Sequence, residues 1–201
     1  GAAWAAPVPT VSVVLADRGR GKSAGVGRAV AQLAADCTVA VCGPHPAAVA
    51  EVLAFAARPE LKHVAALDLV ERLSKGLVID VLVIDEAAQL PVPLLQMLCR
   101  AAPEARIVLA TTTHGYEGTG HGFEHRVVPW LQAEPRATTV YALAEPIRWA
   151  AGDPLEGFVS AVLLLDAGPA RGIRMSAMPQ VTVIDRDDLV RSPARLRAVY
   201  G

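Results

Sequence analysis

Apolar residues along this chain fall into short unbroken runs, separated by longer stretches in which small and apolar residues recur at helical spacing. Residues 11–16 (VSVVLA) predict a buried strand, which runs straight into the polar, glycine-bearing segment 17–23. Helical spacing follows to Ala35. Residues 37–42 (CTVAVC) predict a second strand, stopped by Gly43 and Pro44, and 47–57 predict a helix ended by Pro59. Asp68 is placed to cap a short helix through Leu73. Residues 81–85 (VLVID) are the clearest buried strand, and 91–102 read as a helix bracketed by prolines. The run 107–110 (IVLA) is a strand feeding the polar, Gly-rich stretch 111–122. A helix is expected after it to about Gln132, interrupted or ended by Pro129. A strand at 138–143, a helix at 153–165, a last strand at 181–184 and the start of a helix from Arg191 complete the pattern.

Strands alternate with helices, and the strands are continuous apolar runs instead of alternating ones. That combination predicts an α/β domain with a mainly parallel sheet covered by helices on both faces. The weak periodicity of residues 168–178, rich in Gly, Pro and Arg, marks a linker. The expected organisation is therefore one domain over 1–167 and a linker with a final strand and helix over 168–201. At 201 residues with 53% hydrophobic content, the chain is long and apolar enough to bury a core without disulfides or metals. The formal net charge of −1 advertises neither nucleic-acid nor membrane binding. Three cysteines without a C-x-x-C pair exclude a disulfide framework and predict no disulfide partner. No apolar run approaches the ~18 residues that span a bilayer. The N-terminus lacks the basic start of a signal peptide, so a cytoplasmic location is expected.

Three stretches carry chemistry. The first is Ala16-Asp17-Arg18-Gly19-Arg20-Gly21-Lys22-Ser23, a Walker A pattern with Ala16 at the usual first glycine and Ala24 inside the following helix. Glycines let backbone N–H groups curl around phosphate oxygens, and the helix N-terminus adds its positive dipole end. Lys22 would reach the β- and γ-phosphates, and the Ser23 hydroxyl would bind Mg2+. The bland alternative is a surface turn, which the placement between a strand and a helix disfavours.

The second is Asp85-Glu86, which ends the strongest strand about 60 residues later. An Asp here holds the water shell of Mg2+ in P-loop ATPases, and a following Glu can act as general base. The alternative is a solvated strand end that caps the next helix. Asp80 is a weaker candidate, because it precedes the strand instead of lying at its C-terminal end, where α/β sites form. The third is the loop 111–123, whose hydroxyls and glycines open onto the same sheet edge. Its His114 and His121, with His125 just beyond, lack the carboxylate or Cys that would complete ordinary metal spacing.

Together these stretches resemble the helicase-like ATPase domain of the tRNA(Met) cytidine acetyltransferases. The matching segments are 16–23, IDEAAQLPVPLL at 84–95, GYEGTGHGF at 115–123, PIRW at 146–149 and DPLE at 153–156; the likeness covers about residues 11–167. The family carries Arg where this chain has His121. The resemblance implies a RecA-like P-loop NTPase domain that uses ATP and Mg2+ while the full-length protein acetylates the wobble cytidine of elongator tRNA(Met) from acetyl-CoA. No acetyl-CoA pyrophosphate loop follows Ala167, so acetyl transfer, and the acetyl-CoA site, are expected in a separate acetyltransferase domain of the same protein. Arg148, in the PIRW segment, is either a γ-phosphate arginine or a structural one paired with Asp153 or Glu156. Arg18 and Arg20 flank the phosphate loop and are candidates for nucleotide or RNA contact. Trp130 and Trp149 are candidate RNA stacking platforms, with core packing favoured. The expected catalytic set is Lys22, Asp85, Glu86 and Arg148, with Ser23 and Asp85 toward Mg2+. Two readings compete with ATP hydrolysis: an RNA-docking module that binds ATP without turning it over, and a lobe of an unrelated P-loop RNA helicase.

Overall fold

Six parallel strands form one sheet, in the order His63–Val64, Val39–Cys42, Val81–Ile84, Arg106–Thr112, Thr10–Ala16, Ala137–Leu143. The computed structural model describes residues 9–112, 119–150 and 152–162, and the side chains of 119–122 are not among those described. All of these residues belong to one compact unit, Gly1–Leu163. The expected boundary at 167, the linker, the strand at 181–184, the terminal helix and His114 lie outside the described residues.

The strands are β1 (Thr10–Ala16), β2 (Val39–Cys42), β3 (His63–Val64), β4 (Val81–Ile84), β5 (Arg106–Thr112) and β6 (Ala137–Leu143). The helices are α1 (Lys22–Ala31), α2 (Ala50–Ala56), α3 (Ala66–Ser74), α4 (Val92–Ala101), α5 (Thr119–Ala133) and α6 (Pro154–Val162). The apolar runs explain the double coverage. In β4, Val81 and Val83 join Val26, Val30, Val49 and Val52 of the α1–α2 side. Leu82 and Ile84 point the other way, into the layer of Leu69, Leu95, Leu98, Phe123, Val127 and Leu131 from α3, α4 and α5. All four β4 residues are buried, as a strand with helices on both faces requires. This is the α/β, RecA-like architecture expected from the sequence. No helix among the described residues is long and apolar enough to cross a membrane.

Four local expectations are corrected. The helix expected after residue 122 already begins at Thr119 and runs through Pro129 to Ala133. Pro129 removes one backbone N–H, but Phe123, Val127 and Leu131, each at most 2% exposed, lie four residues apart and bind this helix to the sheet. Asp68 sits in the first turn of α3, whose N-cap is Ala65, so it interacts with the helix dipole instead of capping. The helix expected at 47–57 starts as a 3-10 turn, Pro46–Val49, capped by His45 Nδ1, which accepts from Ala48 N at 3.2 Å. Finally, β6 is not a covered strand. It pairs only with β1 at the sheet edge, and Val140, Tyr141 and Leu143 are exposed.

Candidate functional site

The order of strands decides what can meet at the carboxyl ends. β1 delivers the first motif and β4 the second, with β5 paired to both. β1 ends at Ala16, and α1 begins at Lys22. The intervening turn is possible because Gly19 and Gly21 adopt φ of 78° and 74°, the left-handed region that side chains disfavour. Gly21 is the N-cap of α1, so the helix presents its free N–H groups at the loop.

Lys22 and Ser23 are buried at the start of α1. The Lys22 ammonium donates to Asp85 Oδ1 at 2.9 Å and to Glu86 Oε1 at 2.8 Å. Asp85 is fully buried and Glu86 about a quarter exposed. Burial alone would lower the Lys22 pKa, but the two carboxylates outweigh it, and the pKa is raised above the usual 10.5. Asp85 Oδ1 also accepts from the Glu86 N–H at 2.9 Å, whereas Asp85 Oδ2 is buried with no hydrogen-bond partner. Glu86 itself stands at φ 51°, the left-handed region, and turns the chain from β4 into a short 3-10 turn, Ala87–Gln89. The third motif meets the second here: Thr111 Oγ1, at the end of β5, accepts from Ala88 N at 3.2 Å.

Three of the expected site residues, Lys22, Asp85 and Glu86, are thus joined in one cluster, with Ser23 next to it in α1. Asp80 is engaged elsewhere: its Oδ2 accepts from Thr38 N at 2.7 Å and ties β2 to β4 at their start. Arg148 is exposed and faces Glu51 of α2 at 3.7 Å, not the Asp153 or Glu156 partner that its spacing suggested. Glu156 instead accepts from Arg20 Nη2 at 2.6 Å and from Trp149 Nε1 at 2.7 Å. Trp149 is not a core residue. Its ring packs on the phosphate loop, where a Cβ built on Gly19 would come within 2.3 Å of it. Trp130 does pack against the core, and Arg100 lies 5.9 Å from its ring centroid. Trp149 against the loop was not foreseeable from periodicity.

The arrangement places an ammonium, helix N–H groups and two carboxylates on one sheet edge. It can hold an anion through the first two. The buried, partnerless Asp85 Oδ2 is suited to a hydrated divalent cation.

Known proteins place this chain in a family. The sequence model of the RNA cytidine acetyltransferase NAT10/TcmA helicase domain matches residues 13–74 and 58–166. A tRNA(Met) cytidine acetyltransferase TmcA from Nitrosococcus halophilus is 41% identical over 94% of the chain and 28% of its own length. Its namesake from Thermofilum pendens is 40% identical over 79% of the chain and 23% of its length. The Salmonella typhimurium protein of that name is 39% identical over 96% of the chain and 27% of its length. The chain therefore spans about a quarter of the curated relatives that it matches. On both grounds, this chain belongs to the RNA cytidine acetyltransferase NAT10/TcmA family and corresponds to its helicase domain.

Proposed function

We propose that the chain is the ATP-binding and ATP-hydrolysing module of a tRNA(Met) cytidine acetyltransferase. The observation that carries this reading is the Lys22–Asp85–Glu86 cluster at the mouth of a left-handed glycine loop. A lysine and two carboxylates 63 and 64 residues away in sequence meet only because β4 and β1 flank β5.

In this reading the loop from Ala16 through Asp17, Arg18, Gly19, Arg20 and Gly21 to Ala24 wraps the phosphates, and the N-terminus of α1 faces their charge. Lys22 passes from the carboxylates to the phosphate oxygens and neutralises charge that grows as the terminal phosphoryl group departs. Ser23 and Asp85, whose Oδ2 has no protein partner, would hold Mg2+. When bound, the ion supplies positive charge to the phosphate oxygens. Glu86, released from Lys22, takes a proton from the attacking water. General-base action of this kind contributes about 10²- to 10⁴-fold in rate. Arg148 reaches the transferred phosphoryl group only if its segment moves away from Glu51. The acetyl-CoA chemistry and the tRNA(Met) substrate belong to the whole protein, including its acetyltransferase domain.

The test is ATP turnover with and without tRNA(Met). Lys22→Ala is expected to weaken ATP binding by about one to two decades, from a lost charge-assisted contact of roughly 1.5–3 kcal/mol. Glu86→Gln is expected to bind Mg·ATP as well as the parent and to hydrolyse it at least about 100-fold more slowly. A parent that binds ATP and does not turn it over, with or without tRNA, replaces this reading with that of a nucleotide-stabilised RNA-docking module.

A further inference from the structure

The segment between β6 and α6 lies against the phosphate loop. Ile147 N donates to Gly19 O at 2.9 Å. A Cβ on Gly21 would come within 2.4 Å of Ile147 Cδ1, and one on Gly19 would strike the Trp149 ring. Both left-handed glycines are therefore in van der Waals contact with this strap. Between them stands Arg20, whose side chain is only 10% exposed. Its guanidinium carbon lies 6.0 Å from the Trp149 ring centroid. Its Nη2 donates to Glu156, while Nε and Nη1 are buried without a partner. Glu156 binds Arg20 with one carboxylate oxygen and Trp149 with the other. The bond from Trp149, the larger contribution, and the bond from Arg20 hold the Glu156 carboxyl below its usual pKa.

We propose that Glu156 is a positioning residue of the phosphate loop: by bridging Arg20 and Trp149 it pins the Gly19–Gly21 arch beneath the Ile147–Trp149 strap. The two unpartnered nitrogens of Arg20 are then held ready for oxygens of the bound polyphosphate. A buried guanidinium with two idle donors is costly unless a ligand completes it. A consequence is that α6, which begins at Pro154 and carries Glu156, moves with the loop. Trp149 then reports on what the loop holds. This inference rests on the ATP-binding reading above and adds a residue that acts through Arg20, outside the phosphate loop itself.

The experiment measures ATP affinity and turnover in the parent, Arg20→Ala, Glu156→Gln and the double variant, with Lys22→Ala as the control for nucleotide binding. Glu156→Gln keeps an acceptor for the indole and removes the charge that orients Arg20. It is expected to weaken ATP binding five- to tenfold, with kcat at saturating ATP within about twofold of the parent. The double variant should bind no more weakly than Arg20→Ala alone, because Glu156 acts through that side chain. ATP should also change tryptophan emission in the parent and not in Trp149→Phe. Additive losses, unchanged affinity in a folded Glu156→Gln, or the same emission change in Trp149→Phe would overturn the proposal. If Lys22→Ala loses ATP while Glu156→Gln does not, only the positioning role falls. If Lys22→Ala binds ATP as the parent does, the phosphate-loop reading falls and the positioning role with it.

Discussion

Lys22 stabilises the fold as well as the site, and replacing it by methionine tests that claim. The unbranched methionine stem fills most of the lysine's space, so the cavity contribution is small. What changes is charge. Asp85 has no exposed surface, and its Oδ1 keeps only the Glu86 N–H once the ammonium is gone. Removing one partner of a buried ion pair costs about 3–5 kcal/mol, because the remaining charge is left without compensation. The Glu86 arm contributes little to this, since it is 24% exposed and can turn to water. The lower end, about 3 kcal/mol, is therefore expected. For a chain of this size about 2–4 °C of Tm accompanies each kcal/mol, so Lys22→Met should melt roughly 6–12 °C below the parent. Lys22→Met/Asp85→Asn, which removes both charges, should recover at least half of the loss. Because the Lys22 pKa is raised, the stabilisation is fully present below 10.5 and is lost only as pH climbs above it. Differential scanning calorimetry at pH 7 to 8 reads these differences directly. A Lys22→Met variant that melts within about 2 °C of the parent would refute the argument.

Three further outcomes are expected. Gly27→Ala should destabilise despite better helix propensity, because its Cβ would lie 2.5 Å from Val52 O and 2.7 Å from Phe55 Cβ where α1 meets α2; Gly25→Ala, with nothing within 4 Å, should instead gain about 0.5–1 kcal/mol, both read from urea midpoints. The folded-state pKa of Glu156 is lowered, so its contribution is present above 4.5 and is lost as pH falls below that value; the difference in Tm between parent and Glu156→Gln should therefore narrow on acidification from pH 5 to about 3.5. Burial pushes the thiols of Cys42 and Cys99 up to about 11, so at pH 8 a thiol reagent should label half-buried Cys37 first and reach the other two only in denaturant, as mass spectrometry of the labelled peptides will show.

The buried strands were legible because each is a run of apolar residues long enough to cross the sheet between helices. β3 was not: with two residues, His63 and Val64, it has no period to read and exists through pairing with Val41 and Cys42. The start of α5 was hidden by Thr119, Gly120 and Gly122, poor helix formers whose place in the helix is secured by Phe123 and the apolar spacing after it. Lys22, Asp85 and Glu86 were legible as a set because their chemistry is tied to strand ends. The Arg20–Trp149–Glu156 bridge was not, since a hydrogen bond across 136 residues leaves no local trace. Arg148 shows the same limit from the other side, because spacing pointed to near neighbours and the fold brought Glu51.

The left-handed backbone at Glu86 bears on how such a chain would change under selection. A residue with a side chain loses on the order of 1–2 kcal/mol in that conformation, and glycine loses almost nothing. Position 86 is therefore one where folding and chemistry pull toward different amino acids. Libraries screened for heat resistance alone should drift to Glu86→Gly, and with it shed the carboxylate beside Lys22. Retention of glutamate in a library that is free to lose it would then be a measure of work the site performs, made without any assay of the reaction.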